Sequence, residues 1–483
     1  MRIITINSGK LNYGNFLMIS LMLMVVACVP TIVPKTVTQK VPNSYLSSSD
    51  STNAAKLKWK DFFKDSVLVA LIDTALINNQ ELNIILQEIK IAKNEVRARK
   101  GLYLPFISPF VGFWGDKSSQ FTRTGALDAN IPIVNGQSNP AFLPDYLLAA
   151  NVSWQVDIWK QLRNARKSAV YRYLASVEGK NFMVTNLISH IAFAYYELMA
   201  LDNQLEIIKA NIEIQKNALN VITLEKAAGQ VTELAVLRFQ AEVSKNQSRQ
   251  YLLEQKIIET QNLINFLIGK FPRQVQRNSQ VFLNLDTDTI PIGIPSQLLD
   301  NRTDIRKAEQ ELTASKLDVK VAKANFYPML NINGGAGLEA LNPGYLVSAL
   351  PQSLVFYMGG ALIAPLVNRN GIKATYLSAN AQQIKAAYNY ERTVLKAFTE
   401  VVNQQANINN LSKSYNFKSQ QVDALNRSIS IAINLFKYGR ADYVEVLLTQ
   451  RDVLEAKMEL IETKKQQLSA KVKMYQALGG GWR

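Results

Sequence analysis

Two stretches of the chain share one length and one pattern: residues 81–105, ELNIILQEIKIAKNEVRARKGLYLP, and residues 304–328, DIRKAEQELTASKLDVKVAKANFYP. The offset from 81 to 304 is 223 residues, and it carries Pro105 onto Pro328. In both stretches apolar residues recur at helical spacing, and the proline ends the helix. The two segments therefore predict a duplicated chain.

A second pair of segments repeats further along. Residues 229–234, GQVTEL, fall on residues 439–444, GRADYV, at an offset of 210. In each, a glycine is followed by a Thr or Asp that can cap a new helix. Gly229 and Gly439 are therefore predicted to be structural turn glycines between antiparallel helices.

The segments before these turns predict very long helices. Between Gln161 and Ala228 the only helix breaker is Gly179, and between Ile372 and Tyr438 there is neither Gly nor Pro. At ~1.5 Å per residue, such a helix is about 100 Å long. Helices of this length must pack against one another, as they do in coiled coils.

Four other segments predict β-strands, because apolar residues alternate there with small or polar ones. They are residues 106–116, 148–158, 329–339 and 353–366, each with about the ten residues that cross a bilayer as a tilted strand. Four strands cannot close a barrel, and an open edge in lipid leaves backbone groups unpaired. If the strands enter a membrane, several chains must share one barrel; the pattern itself does not fix their number.

The N-terminus predicts an export signal. Residues 1–27 carry basic residues and then a short apolar run, too short to span a membrane as a helix. Val25-Val26-Ala27-Cys28 resembles the bacterial lipobox, which predicts cleavage before Cys28 and lipidation of it, with palmitate among the acyl chains. An ordinary signal with an incidental Cys is the alternative. Val29 rather than Asp follows, which implies export to the outer membrane.

The remaining boundaries follow from composition and from the repeat. Residues 28–56 are rich in Pro, Ser and Thr and are predicted to be a lipid-anchored tether. The first repeat is expected over 57–272, a linker over 273–298 and the second repeat over 299–483.

Composition argues against catalysis and nucleic-acid binding. The formal net charge is +16, but the Lys and Arg residues are spread along the helical pattern instead of clustered in a basic stripe. One cysteine and one histidine, Cys28 and His190, cannot form a Cys/His metal site alone. No nucleophile, phosphate-binding or metalloprotease motif occurs. We therefore predict no catalytic residue, metal or cofactor.

The chain resembles the TolC-like outer-membrane efflux protein family, and most closely its lipoprotein branch typified by OprM and NodT-like proteins. The resemblance covers about residues 57–483, and Thr303 departs from it at a position where proline is usual. It rests on five segments in order: residues 59–63 (WKDFF), 153–159 (SWQVDIW), 301–309 (NRTDIRKAE), 438–443 (YGRADY) and 477–482 (ALGGGW).

This resemblance implies a mixed α+β membrane protein that acts as a homotrimer. Each chain would give four strands to a 12-stranded barrel, above a long α-helical periplasmic tunnel. The partners implied are outer-membrane lipid, a periplasmic adaptor and an inner-membrane pump of the proton-driven (RND) kind. The protein would sit in the outer membrane of a Gram-negative bacterium and export small molecules or drugs.

The resemblance also implies a periplasmic gate at the start of the last helix. There the OprM-like pattern has a leucine, an aspartate and an arginine, which fall on Val444, Leu448 and Arg451. Spacings of four and three put all three on one helical face. Leu448 replaces an acid, so the hypothesis is an apolar constriction beside an arginine ring, gating partly by dewetting. The alternative is that these residues pack between helices.

Two other functions remain open. An exit duct of a type I protein secretion system would have the same fold. A lipid-anchored structural or adhesive protein would explain the long helices but neither the strands nor the duplication.

Overall fold

The structure is a computed structural model that describes residues 29–37, 41–45, 52–133, 136–287 and 290–483. The predicted signal peptide of residues 1–27 and Cys28 lie outside the described residues. The chain forms two compact units. The first, here the sheet unit, comprises the described residues within 29–36, 91–173 and 311–387, and the second, here the helical unit, comprises the described residues within 37–90, 174–310 and 388–483.

The strands are β1 (Phe106–Asp116), β2 (Leu143–Val156), β3 (Met329–Ala340) and β4 (Leu354–Ile363). The helices are α1 (Trp59–Phe62), α2 (Ser66–Asn78), α3 (Gln80–Gly101), α4 (Arg123–Asn130), α5 (Gln161–Ala227), α6 (Glu233–Leu267), α7 (Gln297–Asn301), α8 (Thr303–Ala324), α9 (Tyr345–Ser348), α10 (Asn370–Lys437) and α11 (Tyr443–Ala477). Short 3₁₀ helices cover Ala54–Lys56 and Ser279–Asn284, the second within the predicted linker.

The predicted fold class is confirmed in its main features. The four strands form one antiparallel sheet in the order β1-β2-β3-β4. Helices α5 and α10 contain 67 and 68 residues, as the lack of helix breakers predicts. In the described part of the chain, no helix carries an apolar stretch long enough to cross a bilayer.

The predicted bounds of β2, 148–158, are wrong at both ends. The strand begins at Leu143, because Leu143 to Leu147 pair with the last residues of β1. Pro144 is tolerated there since pairing with β3 begins only at Tyr146, so no second strand needs its missing donor. The strand ends at Val156 because Asp157 caps α5, accepting hydrogen bonds from the backbone of Leu162 and Arg163 at 2.9 Å each.

The other three strands lie closer to expectation. β1 has the predicted bounds and β3 extends one residue further, whereas β4 is shorter than the predicted 353–366. β4 ends at Ile363, two residues before Pro365, which cannot donate to a strand ladder.

The sheet unit has a small core that includes the start of the described chain. Buried Phe326 and Tyr376 pack edge to face, with ring centroids 5.6 Å apart. Val29 and Ile32 pack against the same cluster. The side chain of Gln383, 1% exposed, accepts a hydrogen bond from the Lys35 backbone at 3.1 Å and donates one to its carbonyl at 2.8 Å. The segment after Cys28 is therefore bound to the unit that carries the sheet.

The helical unit is built from two antiparallel helical hairpins. In the first, Asn246 on α6 donates to Gln215 on α5 at 2.9 Å, both side chains being buried. In the second, Lys418 on α10 forms an ion pair with Glu459 on α11 at 3.1 Å. The hairpins contact each other where Gln476 on α11 donates to Asn186 on α5 at 2.7 Å.

Helix α2 packs its apolar stripe into the main core of the helical unit. Leu68, Ile72 and Ala75 recur every three to four residues and are fully buried. Asp65 caps this helix and also accepts the Tyr195 hydroxyl at 2.8 Å. Burial, together with this hydrogen bond, raises the pKa of Tyr195 well above its usual range. The tyrosine therefore stays neutral and donates its proton.

Candidate functional site

The register of the sheet gives its first face an apolar surface. Residues directly opposite each other in an antiparallel pair point to the same side. Tyr146 and Trp154 are the side chains with a polar group on this face. Its members are Ile107, Pro109, Val111, Phe113, Gly115, Pro144, Tyr146, Leu148, Ala150, Val152, Trp154, Val156, Leu330, Ile332, Gly334, Ala336, Leu338, Ala340, Leu354, Phe356, Met358, Gly360 and Leu362.

The opposite face carries all the strand residues with amide, hydroxymethyl or carboxylate side chains, together with small and aromatic ones. Its polar members are Ser108, Asp116, Asp145, Asn151, Ser153, Gln155, Asn331, Asn333 and Glu339. Phe106, Phe110, Trp114 and Tyr357 are the aromatic residues of this face, and the Tyr357 hydroxyl lies 3.3 Å from Asn151 Oδ1. The same face also carries the aliphatic residues Leu143, Leu147, Met329, Val355 and Ile363. The sheet is therefore apolar on one side and mixed on the other, where all its amide, hydroxymethyl and carboxylate side chains lie, which suits lipid on the first side and water on the second.

Both edges of the sheet are open. Among the described residues, β1 pairs with β2 alone and β4 with β3 alone. Because the order of four antiparallel strands puts β1 and β4 in opposite directions, β4 of one copy can pair antiparallel with β1 of another. Unpaired edges of ten or eleven residues also need such a partner before the sheet can lie in lipid.

The two glycine turns of the helical unit have the same geometry. Gly229 and Gly439 have φ of 72° and 61°, in the left-handed region where a side chain is strained. The backbone of Gly229 donates to Lys226 at 2.9 Å, and that of Gly439 donates to Phe436 at 3.0 Å. The next residue donates five positions back in both cases, the pattern that closes a Schellman motif.

The face of α11 that contains the proposed gate residues is not the face that packs in the chain. Val446, Leu447 and Gln450 are buried. Leu448 is 42% exposed, and the side chain of Arg451 is 43% exposed, with Nη2 lying 3.3 Å from Asp452 Oδ1. Val444 is half-buried. Within one chain, Leu448 and Arg451 therefore remain available to a lumen or to another copy.

Arg302, which the sequence distinguishes only as part of the segment 301–309, is a buried charged residue that joins several helices. We call it the clamp. Its guanidinium donates to Asp304 through Nε at 2.9 Å, to Glu400 of α10 through Nη1 at 2.6 Å, and to the Ala477 carbonyl of α11 at 3.0 Å. Burial alone would lower the pKa of Arg302, but hydrogen bonds and charge attraction to Asp304 and Glu400 raise it. The clamp is therefore fully charged and links three helices.

The first repeat has a matching junction without the charge. Asn79, at the repeat offset of 223 from Arg302, donates to the Leu267 carbonyl of α6 at 2.9 Å. Its side-chain oxygen accepts from the Leu82 backbone at 2.9 Å and so caps α3. The offset of 210 likewise relates Leu267 to Ala477.

The clamp does not follow from motif matching alone. The signal for Arg302 was present as an Arg two residues before an Asp at a helix start. Within the described residues, no group of three His, Cys, Asp or Glu side chains is placed to hold a metal ion.

Comparison with known proteins gives one consistent result. The model of the outer membrane efflux protein family matches residues 71–270 and 294–480. The solvent efflux pump outer membrane protein SrpC of Pseudomonas putida is 27% identical over 426 residues, which cover 88% of this chain and 87% of that protein. The pyoverdine export outer membrane protein OpmQ of Pseudomonas aeruginosa is 26% identical over 97% of both chains.

A solved structure agrees in fold. The Campylobacter jejuni CmeC outer membrane channel superimposes with a TM-score of 0.81 at 21% sequence identity, covering 94% of each chain. The likeness extends over nearly all of this chain, strands and long helices together.

Proposed function

The chain belongs to the outer membrane efflux protein family, and from that premise we propose that it is the outer-membrane channel of a tripartite, RND-type efflux system that exports small molecules. The role is transport, with a water-filled passage in place of a reaction. The remaining assignments below are parts of this proposal.

The two-faced sheet is the observation that carries the proposal. A sheet apolar on one whole face cannot leave that face in water without cost, and its polar face cannot lie against lipid. Tyr146 and Trp154 lie eight residues apart on the apolar face, about 27 Å along a strand. At a tilt of ~40° this is roughly 20 Å along the bilayer normal, close to the ~25 Å apolar band of a barrel, and Tyr and Trp favour the two interfaces that bound it.

The open edges support a homo-oligomer, and the family resemblance gives its number as three. In a trimer, β4 of each copy would pair with β1 of the next, which closes 12 strands. Twelve strands exceed the roughly eight needed for a barrel and leave room for a passage. The long helices would continue that passage into the periplasm.

The N-terminal segment supports a lipid anchor. Cys28 would carry the acyl chains, and Val29 and Ile32 directly after it pack against Phe326 and Tyr376 of the sheet unit. The anchor would then hold the chain to the outer membrane, in addition to the strands.

The partners proposed are a periplasmic adaptor and an inner-membrane pump. The relatives named above serve solvent efflux and pyoverdine export, which supports a small-molecule cargo over a secreted protein. The two-faced sheet argues against a purely structural lipoprotein, which would need no such surface.

The gate proposed is formed by Val444, Leu448 and Arg451. Rings of Leu448 and Val444 would exclude water, and a ring of Arg451 would repel cations beside them. The exposure of Leu448 and Arg451 in a single chain supports this hypothesis over packing within the chain.

The first experiment compares two neighbouring substitutions in β4, Met358→Lys on the apolar face and Gly359→Lys on the polar face. Both positions are exposed in the single chain. A lysine facing mid-bilayer costs about 2–4 kcal/mol, whereas one facing a passage costs little. We expect Met358→Lys to reduce the outer-membrane trimer, measured by native mass and planar-bilayer conductance, while Gly359→Lys assembles and conducts. Equal behaviour of the two variants would overturn the proposed barrel.

The gate is tested on the assembled channel. Arg451→Ala and Leu448→Ser should raise single-channel conductance, because each removes part of the constriction. Thr449→Ala, on the opposite side of the same helix, is the matched control. Wild-type conductance in both gate variants would refute the gate and leave the channel proposal intact.

A further inference from the structure

A cavity of about 520 Å³ lies in the helical unit, beside the two glycine turns. All four long helices contribute to it, and its walls are mostly apolar. Ala218 and Val221 of α5, Phe239 of α6, Phe436 of α10 and Val446 of α11 line it. Phe239 is 1% exposed and belongs to a buried cluster with Ile222 that closes one side of the cavity.

Four uncharged polar side chains also line the cavity, those of Asn217, Gln230, Tyr443 and Gln450. Gln450 of α11 is 4% exposed and lines the cavity. Its Oε1 atom is buried, and no donor in the described part of the chain lies within hydrogen-bond distance of it. Buried carbonyl oxygens are nearly always paired, since leaving one without a donor is unfavourable. The oxygen is therefore an unsatisfied acceptor in the cavity wall, and it can accept from a donor on a ligand once the Gln450 side chain turns toward the cavity.

We propose that this cavity, which we call the tip cavity, binds a neutral amphipathic small molecule. The ligand has an apolar, preferably aromatic body that packs on Phe239 and Phe436, and one N–H or O–H group that donates to Gln450 Oε1. Its size suits the range of about 300–1,000 Å³ that small-molecule sites occupy. The charged side chains in the lining are Glu225 and Lys437, one of each sign, so neither a cation nor an anion is favoured.

Binding there would tie the last helix to the first hairpin. Gln450 immediately precedes Arg451, and Phe239 and Val221 belong to α6 and α5. An occupant in contact with all of them resists separation of the two hairpins and so favours a closed gate. This consequence rests on the proposed function, whereas binding itself does not.

Photolabelling tests the site on the full-length, detergent-solubilised protein. The probe is 4-aminobenzophenone, which is neutral, aromatic and carries an N–H donor; 4-methylbenzophenone has the same body without the donor. Labelled peptides are mapped by mass spectrometry. We expect saturable labelling of peptides from residues 214–239 and 433–450, with the amino probe favoured at least about fivefold over the methyl probe.

Two variants separate cavity from acceptor. Ala218→Trp fills the space and should abolish labelling by both probes. Gln450→Leu replaces the acceptor with an apolar side chain, so both probes should label it equally. This variant still tests the proposal if Ala218→Trp fails to fold. Gln255→Leu, on the exposed side of α6, is the matched control and should label like the wild type. Equal labelling by both probes in the wild type, or tip labelling that survives Ala218→Trp in a folded chain, overturns the proposal.

The outcomes do not depend on channel activity. A protein that conducts but shows no saturable tip labelling loses only the ligand site. A protein that labels as expected but does not form a conducting oligomer loses only the proposed channel.

Discussion

The same junction occurs twice in the helical unit, once in each repeat, and the two copies differ in chemistry. In the first, the end of α6 meets the start of α3; in the second, the end of α11 meets the start of α8. Helices α6 and α11 are each followed by a glycine of positive φ, Gly269 at 69° and Gly479 at 90°. A Cβ added at Gly269 would lie 2.9 Å from the backbone carbonyl carbon of Asn78. One added at Gly479 would lie 2.7 Å from that of Asn301.

The difference is in the side chain that joins the helices. Asn79 is neutral and joins α3 to α6, whereas Arg302 is charged and reaches a third helix through Glu400. Both junctions thus keep the close contact between the glycine and the facing backbone, and both keep a helix-end carbonyl that accepts a hydrogen bond. The side chain that donates to this carbonyl differs with the number of helices it joins. Backbone geometry is the more constrained part of this junction.

The largest effect is expected on breaking the charged junction. Arg302→Met leaves the carboxylates of Asp304 and Glu400 without their buried partner, which should lower the free energy of unfolding by about 3–5 kcal/mol. Guanidinium unfolding followed by circular dichroism in detergent measures it. Lys396→Met is the control, since Lys396 pairs with the same Glu400 at 3.7 Å but is 72% exposed and should cost less than about 1 kcal/mol. Similar losses in both variants would contradict the clamp.

The second largest loss of stability is expected at the two junction glycines, and it tests whether the contact between glycine and facing backbone is equally tight in both junctions. Gly269→Ala and Gly479→Ala each combine an unfavourable φ with a side chain forced against backbone, so each should cost about 2–3 kcal/mol. The same unfolding measurement applies. A large loss in one variant and none in the other would show that the two junctions are not equivalent.

A smaller effect is expected at the neutral junction. Asn79→Ala removes the cap of α3 and the donor to Leu267, which should cost about 1–2 kcal/mol. Asn79→Ser keeps a capping oxygen and loses the amide donor, so its loss should be smaller. A cost equal to that of Arg302→Met would mean that charge does not distinguish the two junctions.

The smallest effect is expected at the other glycine turns. A Cβ at Gly229 or Gly439 would meet nothing within 4 Å, so only the positive φ opposes alanine. Gly229→Ala and Gly439→Ala should each cost about 1 kcal/mol. Gly371→Ala, in α10 with equally open surroundings and no positive φ, should not destabilise the protein. A loss above about 2 kcal/mol at either turn would reveal a packing role.

Much of this fold could be predicted from local pattern. The absence of breakers between Ile372 and Tyr438 predicts α10 within a few residues at each end, because helix ends follow Gly and Pro chemistry. Alternation predicts the strands, but the start of β2 at Leu143 depends on its pairing with the end of β1, a long-range contact that Pro144 hides from a local reading of the sequence.

The candidate site was less predictable. Spacing puts Leu448 on one helical face with Val444 and Arg451 but leaves open whether that face is exposed, and Gln450 looks like any polar residue of an amphipathic helix. Its burial results from α5 and α6 packing beside it, which no spacing within α11 encodes. Arg302 is similar, because its partner Glu400 lies 98 positions away in the sequence.

The two open edges of the sheet have a consequence for biogenesis. A single chain in lipid would expose the ladder groups of β1 and β4, so entry into the bilayer and association with other copies must occur as one event. The rate of membrane assembly should then have a kinetic order above one in chain concentration. In a cell that makes this protein slowly, each chain would stay unassembled for longer and so be exposed for longer to periplasmic chaperones and proteases.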